Sequence, residues 1–123
     1  MRQITERFRA AVQICTGPQH IKERLAVAWV DHLDNIEADM LPEIMRTQFC
    51  ELRSAMYTEK PQPRESAPYA SVRKMADTQA AIYTAAILKL WNDLQRISYA
   101  SAPATLEEHE SFSGAFQTSV RLN

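Results

Sequence analysis

An all-α fold is predicted by three features of the 123-residue sequence. Apolar residues recur every three or four positions in four separate segments, prolines gather at segment boundaries and in one short stretch, and only two glycines are present. A period of 3.6 marks helices that bury one face, and so few glycines leave little for the tight turns of a β protein. The expected architecture is a four-helix bundle-like single domain over residues 1–98, orthogonal or up-down, with helices at about 2–16, 18–37, 41–57 and 71–97. A short C-terminal tail, 99–123, partly extended or disordered, follows it.

The first helix rests on Ile4, Phe8, Ala11, Val12 and Cys15, which share one face, and Gly17–Pro18 ends it. Pro18 suits the first turn of a second helix, whose stripe is Ile21, Leu25, Ala28, Trp29, His32, Leu33 and Ile36. A break near Glu37–Leu41 precedes Pro42, placed to open a third helix that buries Leu41, Met45, Phe49, Leu52 and Met56. The stretch TEKPQPRESAPYA, Thr58 to Ala70, reads as a loop, because its three prolines remove backbone donors and bias their predecessors away from helix. Ser71 is the expected N-cap of the fourth helix. That helix carries a broad stripe of Val72, Met75, Ile82, Tyr83, Ala86, Ile87, Leu90, Trp91, Leu94 and Ile97, with Leu88 on the opposite side. In the tail, Thr105 and Glu108 fit a capping box and suggest a short helix at 106–110. Phe116, Thr118, Val120 and Leu122 alternate as an extended segment would.

Hydrophobic residues are 46% of the chain and charged residues 24%, a globular balance that argues against wholesale disorder. No apolar run is long enough to cross a bilayer and the N-terminus lacks the uninterrupted apolar stretch of a secretory signal, so a cytoplasmic protein is expected. The two cysteines, Cys15 and Cys50, are expected to stay reduced. The net charge of −1 conceals segregation: residues 1–24 carry +3, 25–45 carry −5 with no base, 46–96 carry +3, and the rest −2. This near-neutral total disfavours nucleic acid as a partner, and no membrane partner is expected.

Six residues crowd the expected start of the fourth helix: Arg64, Ser66, Tyr69, Ser71, Arg73 and Lys74. Two cations in a first turn oppose the helix dipole, and a bound phosphate or carboxylate would relieve the conflict. Without a glycine-rich loop the simpler reading is that the cations extend into water or pair with Glu65 and Asp77. A second feature is the acidic run Asp31, Asp34, Glu37, Asp39 and Glu43, which lacks the ligand pattern of a calcium loop and reads as a solvated face or a patch for a basic partner. Ala81, Ala85 and Leu88 form a leftover apolar line that hints at a homodimer.

No catalytic constellation emerges. His32 reads as a hydrogen-bonded core histidine, while His20 and His109 have no evident catalytic partner. Cys50 has Arg46 and Arg53 at helical spacing, which would favour a thiolate, but no histidine or second cysteine lies beside it. No metal site and no cofactor are expected. The function expected is therefore that of a non-catalytic helical module for protein–protein interaction or regulation. The alternative is a small-ligand or phosphate-binding protein that uses the N-terminus of the fourth helix.

Overall fold

Ile4, Phe8, Ala11 and Cys15 fall on one side of α1 (Arg2–Cys15) and are buried, as their spacing requires. The computed structural model describes residues 2–100, with side chains to Ser98; the expected turn at 106–110 and the extended segment beyond it lie outside the described residues. Thr16 and Gly17 close α1 with backbone bonds to Val12, Gln13 and Ile14. Arg24 then seals the corner, donating from Nη1 to the Cys15 carbonyl (2.6 Å) and from Nε to that of Gln19 (2.7 Å).

α2 (Ile21–Ala28) starts three residues later than expected. Pro18 stays in the connection and His20 is the N-cap, its side chain accepting from the Lys22 amide. The regular helix also ends early, because Trp29–Leu33 widens into a π-helical turn in which the Asp34 amide reaches the Trp29 carbonyl (2.8 Å). The wider turn keeps Trp29, Leu33 and Ile36 buried but leaves His32 only half-buried. The expected hydrogen-bonded core histidine is replaced by Trp29, whose Nε1 donates to Asp34 Oδ1 (2.8 Å). A 3-10 turn at Ala38–Met40 leads to α3 (Glu43–Met56), with Pro42 at the N-cap position. Its buried positions, Met45, Phe49, Leu52 and Met56, with Leu41 just before it, are those that the spacing predicts.

The expected fourth helix is two. α4 (Ala67–Lys74) begins inside the proline-containing stretch: Ser66 Oγ accepts from the Tyr69 amide as N-cap, and Pro68 occupies the first turn, where its missing donor costs nothing. Met75 is extended, and α5 (Asp77–Ala100) starts after Ala76, whose amide donates to Gln79 Oε1 (3.1 Å), the back half of a capping box. Among the described residues there are thus five α-helices where four were expected, and Ser71 is an interior α4 residue, not a cap.

α5 packs against α1, α2 and α3, and α4 bridges α2 and α3, so three neighbours absorb the broad stripe. Ala80, Ile87, Leu90 and Leu94 are buried, with Tyr83, Trp91 and Ile97 partly so. Ile82 is the exception at 65% exposed, because within α5 it lies roughly 140° around the helix from buried Ile87. Phe49 stacks on Trp29 (5.6 Å between centroids) and meets Phe8 edge-on (6.3 Å), joining α1, α2 and α3 at the centre of the core. No described helix is long and apolar enough to cross a membrane.

Cys15 and Cys50 are both free, the first buried and the second exposed. Burial raises the Cys15 thiol from its ordinary 9.0 to about 11, against a smaller opposing effect of the Arg24 charge. The fold therefore holds a neutral thiol where the unfolded chain ionises. Its stabilising contribution is complete below pH 9 and disappears as pH rises to about 11, a loss on the order of 2 kcal/mol. Chemical denaturation between pH 8 and 11 is expected to show this decline, and Cys15→Ala to flatten it; parallel profiles would contradict the assignment.

Candidate functional site

The acidic run is shaped by one arginine. Arg53, in the last turn of α3, donates through Nη2 to the Asp34 carbonyl (3.2 Å) and the Ile36 carbonyl, so the chain leaving the π-turn is tied down by its own backbone. Its guanidinium lies over Trp29 and Phe49, 5.3 and 5.4 Å from their centroids. Asp34 belongs to this lock: its Oδ1 accepts from Trp29 and from the Tyr57 hydroxyl. That hydrogen bond, with desolvation and the carboxylate's charge, raises the Tyr57 phenol above its ordinary range.

The other four carboxylates, Asp31, Glu37, Asp39 and Glu43, are exposed, and none is in an ion pair among the described residues. Two apolar side chains stand among them: Met40 is 48% exposed and Ile44 is 81% exposed. Ile44 borders a hollow of about 300 Å³ that it shares with Asp93, Arg96 and Ile97 near the end of α5. Asp93 accepts from Lys89 and Arg96, and Lys89 also reaches Gln48, which fastens α3 to α5 on this side. Exposed apolar side chains rimmed by charges, mostly acidic on the 31–43 side, resemble the core and rim of a protein interface. Sequence reasoning found the acids but not Met40 and Ile44. The available signal was that each sits one position before a core residue, Leu41 and Met45, and so off the buried stripe.

The six residues expected around an anion are not brought together as a cradle. Arg73 and Lys74 fall in the last turn of α4, where the helix dipole favours cations, so the conflict that called for an anion is absent. Arg73 instead grips Glu65 through two hydrogen bonds (2.9 and 3.1 Å), which hold that carboxyl below its ordinary range. Ser71 is buried, its Oγ accepting from the Glu59 amide (3.1 Å). Ser66 caps α4, Tyr69 is exposed, and Arg64 is an exposed turn residue with positive φ (69°). Ser71 and Lys74 do share a hollow of about 240 Å³ with Glu59, Met75, Gln79 and Tyr83.

That hollow adjoins an open groove of about 620 Å³ between α3 and α5, into which Cys50, Ala55 and Tyr83 face. Of the stripe residues only Tyr83 lines this groove, since Ile87 is closed into the core. Arg46 and Arg53, the cations spaced to act on Cys50, are committed to carbonyls: Arg46 Nε donates to Leu41 (2.9 Å) and Arg53 to Asp34 and Ile36. Of the expected self-association line, Ala81 and Ala85 are exposed and Leu88 half-buried, with Ile82 added beside them. No three metal-ligating side chains converge among the described residues.

Among the described residues, helices alone define an all-α domain, and the sites above define its class no further. No family model matches the chain, and no curated protein or solved structure matches it at a significant level.

Proposed function

We propose that the protein is a non-catalytic interaction module that docks a basic, amphipathic protein segment on the edge formed by residues 31–43 and Ile44. The carrying observation is the coincidence of four uncompensated exposed carboxylates with exposed Met40 and Ile44. The charges steer and orient a basic partner, while the apolar pair supplies the contact that holds it. A cytoplasmic setting suits two unpaired thiols.

The test uses a labelled helical peptide of alternating lysine and leucine turns, titrated by fluorescence anisotropy, with a glutamate–leucine peptide as control. Saturable binding of the basic peptide is expected, weakening as salt rises. Glu37→Lys with Asp39→Lys should lower affinity roughly tenfold at low salt, and Ile44→Asp by at least as much. Equal affinity for wild type and both variants, or no binding by the basic peptide, would remove the proposal.

Exposed Ile82 favours a second reading, self-association of α5. Residues 78–88 contain no charge over three helical turns, so this face offers nothing to a charged partner and matches a second copy of itself. Sedimentation of the full chain should show a concentration-dependent dimer that Ile82→Glu abolishes without loss of helicity; a monomer at high concentration would end this reading.

A further inference from the structure

One imidazole joins two helix starts. His20 Nδ1 accepts from the Lys22 amide (3.2 Å) and so caps α2, while Nε2 of the same ring lies 3.5 Å from Asp77 Oδ2 in the first turn of α5. Beside it, Lys22 Nζ donates to the Arg73 carbonyl at the end of α4 (3.0 Å). The start of α2 therefore holds both sides of the α4–α5 corner at Met75–Ala76. Because a donated N–H requires a bare lone pair, the ring must carry its proton on Nε2, turned toward Asp77.

We propose that His20 is a pH-responsive joint that trades the α2 cap for a stronger clamp on α5. A second proton has only Nδ1 to occupy, where it removes the acceptor for the Lys22 amide and sets two N–H groups against each other. The same proton makes the ring a cation opposite the Asp77 carboxylate. Protonation of the ring thus loosens the first turn of α2 and tightens its link to α5. The charged groups on the turns that meet here are Lys22, Glu23 and Arg24 of α2, Arg73 and Lys74 of α4, and Asp77 in the first turn of α5; Arg24 is turned to the carbonyls of Cys15 and Gln19. Among the described residues Asp77 alone is within ion-pair distance of the ring, and Arg73 is turned to Glu65.

Nuclear magnetic resonance of the full chain tests both halves. At pH 8, long-range nitrogen–proton correlations should show the Nε2–H tautomer of His20. From pH 8 to pH 5 the protection factor of the Lys22 amide should fall about tenfold, the factor that a side-chain cap of ordinary strength represents. His20→Asn, whose side chain caps without titrating, should show no such fall. With Asp77→Asn the ring still caps but gains no partner on protonation, so the thermal midpoint should drop more steeply with acid than in wild type. An Nδ1–H tautomer at pH 8, a Lys22 amide indifferent to pH, an equal fall in His20→Asn, or parallel midpoints for Asp77→Asn and wild type would overturn the proposal.

Discussion

Phe49→Ala is expected to lower the thermal midpoint by roughly 15 to 30 °C. Phe49 is fully buried and is the ring that Phe8, Trp29 and the Arg53 guanidinium all meet, so its removal opens a void at the junction of α1, α2 and α3. Truncating a buried aromatic costs about 3 to 5 kcal/mol, and each kcal/mol moves the midpoint of a domain this size by about 4 to 8 °C. Against the 5 to 15 kcal/mol that a typical domain possesses, such a loss is roughly a fifth or more of the total. Thermal circular dichroism of the variant checks it. A drop below about 5 °C would mean that the neighbouring rings close the void, and the aromatic cluster would not be the keystone described.

Arg53→Met is expected to cost about 2 to 3 kcal/mol, which is large for a residue that is not fully buried. Methionine keeps an apolar side chain over Trp29 and Phe49, so the variant removes the hydrogen bonds to the Asp34 and Ile36 carbonyls together with the cation over the rings while sparing the packing. Arg53→Lys should recover little, because an ammonium on a flexible stem lacks the planar fork that reaches two carbonyls while stacking on rings. Denaturant midpoints measure the cost, and hydrogen exchange over residues 34–37 shows where it falls. A wild-type midpoint in Arg53→Met would reduce the guanidinium to surface decoration.

Arginines recur at the chain reversals. Arg24 closes the α1–α2 corner, Arg46 the entry to α3, and Arg53 the exit from the π-turn, each by donating to backbone carbonyls that helix geometry leaves open. In sequence these residues are indistinguishable from solvated charges, since the acceptors are main-chain atoms five to nineteen residues away. The same difficulty hid the start of α4. Proline in a first turn and proline in a loop look alike until the chain places Ser66 as a cap.

The candidate site was half legible. Its charges could be read because an acidic run without a base is a property of composition, whereas Asp34 turned out to serve Trp29 and Tyr57 inside the fold. The exposed Met40 and Ile44 could not be separated from core residues by hydropathy. Their place one position off the periodic stripe marked them as outward-facing, but how far each is exposed was set by the packing of neighbouring elements.

The sequence by itself determined that the chain is helical and which faces of α1 and α3 turn inward, because periodic burial is a local property with a fixed geometric period. It also carried the segregation of charge. Tertiary structure alone decided the break between α4 and α5, the π-turn after α2, and the partners of Arg24, Arg53, Arg73 and His20. Those features depend on which distant groups are brought within hydrogen-bond reach, and a one-dimensional pattern does not record distance across the fold.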